Sequence, residues 1–351
     1  MIGVITSDPL SNTVLWATIT MVIIVATVLV WTGLMRLQGK FIGVHESRFL
    51  SKWKPLLLET VDAVPAHLPR VKKPDWFVFL ALWNQFHDSL KGPAKLRLKA
   101  VALRLRMDSA ARSLLATRDT ENRLVAVMTL GHLGDQDSWN ILESIARSRT
   151  PILSLAALRS LFLIDTSRAL AILLSLLGAR GDWPTAQLKT ILAEADSTAI
   201  SEGLMQAAET AIPSELPRLI ALMDAADPAT VTPYLRRLIQ TSNDEEHLIA
   251  CLKSQHVPKD LEILTPFMKN PSWQVRTQIA RVLGSAVTRG QEHLLISLLA
   301  DDVWWVRYRA GQSLARLPFF SHDELWRLRF LLTDQFAQDI LDQVVAEMKL
   351  K

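Results

Sequence analysis

Two stretches of this chain repeat each other at a spacing of 31 residues, and no other feature constrains the fold as tightly. Trp273-Gln274-Val275-Arg276 stands over Trp304-Trp305-Val306-Arg307, and Ile279 and Leu283 stand over Ala310 and Leu314. Between the two lies a short apolar segment, His293 to Ala300, that stops at Asp301-Asp302. A second pair keeps the same spacing, with Ala126, Leu130 and Leu133 over Ala157, Leu161 and Ile164. Each member of that pair is followed by a further apolar segment, Trp139 to Ala146 and Ala169 to Leu177. The apolar positions recur at helical intervals, so each unit reads as a pair of helices. One pair cannot bury its own apolar face, and stacking pairs on each other makes a shared core, which is the logic of a solenoid. The sequence contains no Asn-Gly or Asp-Gly, the strongest short hairpin signals. The expected class is all-α.

The fullest unit is Asp302-Val303-Trp304-Trp305-Val306-Arg307-Tyr308-Arg309-Ala310. It resembles the second helix of a HEAT repeat, in which an acidic residue is followed by Val-Arg and then by spaced Ala and Leu. The resemblance is weaker at Arg123 to Gly134 and at Ser154 to Asp165, and it blurs between Gly181 and Lys269. In that stretch Pro184, Pro213, Pro217, Pro228, Pro233, Pro258 and Pro266 are expected to mark the starts of short helices, since Pro suits a first turn and not a helix middle. The resemblance implies a HEAT-like α-solenoid, a superhelix of helical hairpins, over residues 74–351. It also implies that Arg276, Arg307 and Asp302 serve a structural ladder along the turns. With the ending Asp334-Gln335-Phe336-Ala337-Gln338-Asp339-Ile340-Leu341, the Trp-rich unit is similar to membrane-tethered HEAT proteins of Gram-negative bacteria. Those proteins accompany envelope-polysaccharide glycosyltransferases, so the resemblance implies a scaffold for a cytoplasmic or inner-membrane protein partner.

Residues 9–35 carry no charged side chain, and Val14 to Met35 is dominated by Val, Ile, Leu, Ala and Trp. At about 1.5 Å per residue that run reaches roughly 33 Å, enough for a bilayer core of about 30 Å. Trp16 and Trp31 stand near its ends, where indole rings favour the headgroup level. A cleaved signal peptide would need a basic segment before the run and small residues after it. Neither is present. The expected organisation is a short non-cytoplasmic tail (1–12), a transmembrane helix (13–35), a basic juxtamembrane tether with at most one short helix (36–73), and the repeat domain (74–351). Arg36, Lys40, Arg48, Lys52 and Lys54 follow the run, and Lys and Arg near a span stay on the cytoplasmic side. The expected location is therefore the bacterial inner (cell) membrane, single-pass, with the N-terminus out and the C-terminal domain cytoplasmic. The lone Cys251 agrees with a reducing compartment.

Charge is uneven. Residues 36–118 hold 16 Lys/Arg against 6 Asp/Glu, a net of +10, whereas residues 119–351 carry a net of −5. A basic surface beside an anionic leaflet gains about 1 kcal/mol per nearby Lys or Arg. Arg36, Lys40, Arg48, Lys52 and Lys54 are the membrane-surface candidates. Within the basic part, Asp75 to Lys91 reads as a strongly apolar helix closed by Gly92 and capping the stack. Gly92-Pro93 then opens a helix whose buried stripe is expected at Leu96, Ala100, Leu103 and Met107.

No catalytic chemistry is legible. The eight His include no His-Glu-x-x-His pair, and neither a Gly-x-Ser-x-Gly elbow nor a phosphate-cradling Gly loop occurs. One Cys rules out a thiolate zinc site within the chain. No catalytic residue, metal or cofactor is expected, and no small-molecule substrate is evident. Gly131-His132-Leu133-Gly134 reads as a helix C-terminus, with Gly134 as the cap and His132 near the negative end of the dipole. Aligning the last two units isolates a better candidate. Trp305, Tyr308 and Arg309 replace Gln274, Thr277 and Gln278 and, with Gln312 and Arg316, share a helix flank away from the core stripe. Trp, Tyr and Arg are enriched at binding hot spots, so this flank is the expected partner surface. Two other classes stay open: a nucleic-acid-binding helical-repeat protein using the basic 36–118 part, and, by fold alone, an enzyme resembling HEAT-like chromophore lyases.

Overall fold

The computed structural model describes residues 45–349; the apolar run at 14–35 and the candidates Arg36 and Lys40 lie outside the described residues. Every regular element among the described residues is a helix, as expected. None of those helices is long and apolar enough to cross a membrane. The chain divides into two compact units, with the boundary between Leu133 and Gly134.

The first unit contains α1 (residues 45–59), α2 (Trp76–Ser89), α3 (Pro93–Arg104), α4 (Met107–Leu115) and α5 (Thr120–Leu133). Part of the expected tether packs into the core. Trp53 and Leu57 of α1 are fully buried, and the Trp53 ring meets Phe79 of α2 edge-on with centroids 4.7 Å apart. Each such burial stabilises by about 1.5–3 kcal/mol, which a free linker could not supply. Arg97 of α3 fastens the end of α1 further by donating to the carbonyls of Thr60 and Val61. Apolar side chains on nearly every side of α2 explain its central place: Phe79, Leu80, Leu82 and Trp83 are buried, and α3, α4 and α5 all pack on it.

Helix α3 forms where expected but turns a different face inward. Ala94, Leu98, Val101 and Ala102 are buried, whereas Leu96 is 70% exposed and Leu103 is also exposed. That face meets α2, where the Trp83 indole N–H donates to the Leu98 carbonyl at 3.0 Å. Gly134 follows α5 with φ +65°, the left-handed cap that its position suggested.

The second unit runs through α6 (Trp139–Ala146), α7 (Pro151–Ile164), α8 (Thr166–Leu176), α9 (Thr185–Ala193), α10 (Ser197–Thr210), α11 (Leu216–Leu222) and α12 (Pro228–Thr241). It continues through α13 (Glu245–Lys253), α14 (Leu261–Leu264), α15 (Trp273–Ala286), α16 (His293–Leu298), α17 (Trp304–Ala315), α18 (His322–Leu331) and α19 (Gln335–Lys349). Helices α7, α9, α11, α13, α15, α17 and α19 pack each on the next in one row, and α8, α10, α12 and α14 form a second row. Sequence neighbours such as α7 with α8, α10 with α11 and α12 with α13 close hairpins between the rows, and α6, α16 and α18 pair with α7, α17 and α19 of the first row. This is a stack of helix pairs sharing apolar faces: Val275, Ile279 and Leu283 of α15 and Val306, Ala310 and Leu314 of α17 are all buried.

Short polar residues set the helix starts. The carboxylates of Asp165, Asp196, Asp227 and Asp244 and the hydroxyl of Ser272 accept first-turn backbone N–H groups of α8, α10, α12, α13 and α15. Pro217 and Pro228 stand at helix starts as expected, but Pro233 lies inside α12. Between α15 and α17 the backbones approach closely: a Cβ on Gly284 would lie 2.7 Å from the Cβ of Ser313.

Arginines tie the hairpins together through backbone carbonyls. Arg180 donates to the carbonyls of Ala146 and Ser148 just past α6, and Arg218 donates to those of Leu177, Arg180 and Trp183 past α8. Arg281 does the same to Leu252 near the end of α13. Helix C-termini leave unsatisfied carbonyls of partial negative charge, and a guanidinium offers several donors to them at once.

Candidate functional site

The repeated Val-Arg pair is the first feature to test. Arg276 donates through Nη1 to the carbonyls of Asn270 and Pro271 at 2.8 and 3.2 Å, and Arg307 donates in register to those of Asp301 and Asp302 at 2.7 and 3.3 Å. Both therefore close the turn before their own helix. Arg276 also holds both Asp301 carboxylate oxygens, at 2.7 and 2.8 Å, in a fork-to-fork pair. The acidic rung is thus Asp301; the exposed Asp302 contributes its carbonyl. Burial pushes the Asp301 carboxyl up, but the Arg276 hydrogen bond, the Val303 N–H and the charges of Arg276 and Arg307 outweigh it and hold it below the usual range. The Arg276 guanidinium is pushed up mainly by the Asp301 hydrogen bond.

The flank of α17 splits in two. Trp305 is 55% exposed, with its ring edge-on to Trp304 at 4.7 Å, and Arg316 is exposed beyond it. Trp304 and Trp273, at the equivalent first positions of α17 and α15, are exposed as well. Tyr308, by contrast, stacks on Trp304 at 4.8 Å and donates its hydroxyl hydrogen to Glu347 of α19 at 2.8 Å. That hydrogen bond, then burial, raises its phenol above the ordinary value, while Gln312 hydrogen-bonds the same side chain and pulls the other way. Arg309 is half-buried and faces Arg281, whose guanidinium is pushed down first by burial and then by that like charge. The five candidates share a helix flank, but the Tyr308 hydroxyl is engaged by Glu347 of α19, with Gln312 bonded to Tyr308 on the same helix. The outward aromatic cluster is Trp304 and Trp305. Phe336 of α19 is exposed beneath the Arg307 guanidinium 5.1 Å away, whereas Ile340 and Val344 further along the helix are buried.

In the basic unit, Arg48, Lys52 and Lys54 are exposed on α1, opposite its buried Trp53. Further along, His67, Arg70, Lys72, Arg104 and Arg106 line one cleft of about 720 Å³. Arg106 holds a left-handed backbone, φ +55° and ψ +39°, at the start of α4.

A cluster that sequence reasoning missed sits between α2 and α5. His87 and Asp88 near the end of α2 meet His132 near the end of α5, with the two imidazoles stacked at 4.0 Å and both residues only 7% exposed. The three are brought together by the packing of α2 on α5, and their separation in sequence hides them. The only local hint was that each histidine lies in the last turn of an apolar helix.

No family model matches this chain, and no curated protein matches it. Among solved structures, an engineered protein from a structural genomics consortium aligns over 82% of this chain and 86% of its own, at 15% identity and a TM-score of 0.34. A likeness that loose carries no argument.

Proposed function

We propose that this chain is a membrane-anchored, non-enzymatic scaffold of the HEAT-like helical-repeat type that docks a protein partner on the aromatic surface at the start of α17. The observation that carries the reading is the outward placement of Trp305 beside Trp304, where the preceding unit has Gln274. Covering the exposed part of one Trp ring is worth roughly 3 kcal/mol, enough to anchor an interface. The uncharged run at 9–35 supports anchorage in a bacterial inner membrane, with the repeat domain in the cytoplasm, and tethering raises effective concentration without tight intrinsic affinity. An envelope-polysaccharide glycosyltransferase system is the partner class the HEAT resemblance suggests.

A photocrosslinking residue at position 305, placed in the full chain in its own membranes, tests this. A discrete adduct is expected from 305 and not from 274. Trp305→Ala with Arg309→Ala should abolish co-purification of that partner while changing stability by less than about 1 kcal/mol. A large fall in stability instead assigns the Trp to core packing.

The basic cleft of Arg70, Lys72, Arg104 and Arg106 with His67 supports a second reading, in which the first unit meets anionic phosphate groups, of a leaflet or of a nucleic acid. Duplex binding would show a steep loss with salt, about one log unit per log of salt for each phosphate neutralised.

A further inference from the structure

The hydrogen bonds around His132 fix which of its nitrogens faces Asp88. The Asn84 side-chain N–H donates to the Val125 carbonyl at 3.1 Å, so the amide oxygen of Asn84 is the atom facing His132 Nδ1 at 3.2 Å. An amide oxygen only accepts, so Nδ1 carries the hydrogen and donates it. Nε2 therefore faces the other way, toward the Asp88 carboxylate, with an N–O separation of 3.2 Å. A positive charge belongs in that gap, either a proton on Nε2 that makes the contact an imidazolium–carboxylate bridge or a metal ion that both atoms bind. The separation also suits one edge of a tetrahedral metal site, since bonds of about 2.0–2.1 Å to nitrogen and oxygen put the two ligand atoms roughly 3.3 Å apart.

The surroundings favour a cation as well. His87, Asp88 and His132 all lie in or near the last turns of α2 and α5, so two negative dipole ends converge on the carboxylate. His132 is oriented as metal-bound histidines are, its far N–H donating to an oxygen that is itself held by the backbone. One ligand atom from each of the three residues lies within 4.8 Å of the others. Closing that set onto one ion requires the imidazoles to turn from the 20° between their planes, a rotation about a soft sp³–sp² bond. The Asp88 carboxylate is 40% exposed, which leaves a route in from solvent.

We propose that His87, Asp88 and His132 form a binding site for a divalent transition-metal ion of the zinc class, fastening α2 to α5 with one coordination position left for water. Two imidazoles and a carboxylate suit zinc, cobalt or nickel and not the harder magnesium or calcium. Binding consumes no redox equivalent; the ion takes the place of any proton shared by His132 Nε2 and Asp88, and that proton passes to solvent. The ion joins an existing donor set.

The test is titration of the purified, chelator-treated full chain with Co²⁺, read by its visible ligand-field spectrum, with Zn²⁺ as competitor. A single saturable step displaced by Zn²⁺ is expected. Asp88→Asn and His87→Asn should each weaken it by about tenfold or more, and Asn84→Leu, which touches no metal, by about 10–100-fold. Helical circular dichroism keeps loss of binding distinct from loss of folding, and the exposed Asp88 makes its variant the one that folds. The proposal is overturned if the folded chain shows no saturable Co²⁺ spectrum. It is equally overturned if Asp88→Asn and His87→Asn bind Co²⁺ as tightly as the unaltered chain, or if Zn²⁺ leaves the melting temperature unchanged and only a proton occupies the gap.

Discussion

Replacing Arg276 with Met should cost the second unit about 3 kcal/mol. The guanidinium holds both Asp301 oxygens, at 2.7 and 2.8 Å, and the Asn270 carbonyl at 2.8 Å. The side chains of the pair are 14% and 8% exposed, so removing Arg276 strands a carboxylate that water barely reaches. Breaking a buried pair from one side costs roughly 3–5 kcal/mol; the lower end applies because Asp301 keeps the Val303 N–H at 2.9 Å. Asp301→Asn keeps the shape but sets an amide N–H against the guanidinium, for about 2 kcal/mol. The double variant should then cost much less than the sum, leaving a coupling energy of about 2 kcal/mol. Repeat arrays can lose two-state behaviour, so amide hydrogen exchange resolved to α15 and α17 is the suitable assay. Additive losses, with coupling below about 0.5 kcal/mol, would refute the rung as a pair and reduce Arg276 to a turn cap.

Gly284→Ala should destabilise by about 1–3 kcal/mol, because the new methyl meets Ser313 at 2.7 Å; pairing it with Ser313→Gly should recover much of the loss in a urea melt. Cys251 is fully buried and its thiol is pushed up by burial to about 12, so a thiol reagent at neutral pH should label it only once denaturant is added. Asp301 and Asp224 both sit below the ordinary carboxylate range. At Asp224 burial pushes upward but Lys189, the Gln255 N–H and Ser254 outweigh it. A depressed carboxyl contributes stability that is present above its unfolded value and lost as pH falls through its folded one. Acid melts should therefore steepen below about pH 4, and Asp301→Asn should flatten that limb.

The helical class was legible because period and spacing are properties of the chain itself. Trp273 over Trp304 and Val275 over Val306 became α15 and α17 in neighbouring positions of one row, and Gly134 became the left-handed cap it resembled. Choices that depend on what arrives from elsewhere were not legible. Leu96 and Leu98 lie on opposite sides of α3, and the side that meets α2 is the buried one. Residues 45–59 fall in the proline-punctuated stretch expected to be a tether (36–73), yet Trp53 finds Phe79 on α2. On the candidate surface, spacing grouped Trp305 with Tyr308 correctly, but only the arrival of Glu347 from α19 distinguishes the outward ring from the one already engaged. His132 and Asp88 became neighbours by the same kind of long-range closure.

The arginines that reach back to carbonyls of an earlier hairpin carry a practical consequence for anyone cutting this molecule. A fragment ending at Trp183, in the turn after α8, would keep the carbonyls of Leu177 and Arg180 but omit Arg218, the donor that occupies them. Its last helix would fray although every residue of that hairpin was retained. Sound truncation points therefore sit one hairpin later than the secondary structure suggests, and each module depends on its successor for closure.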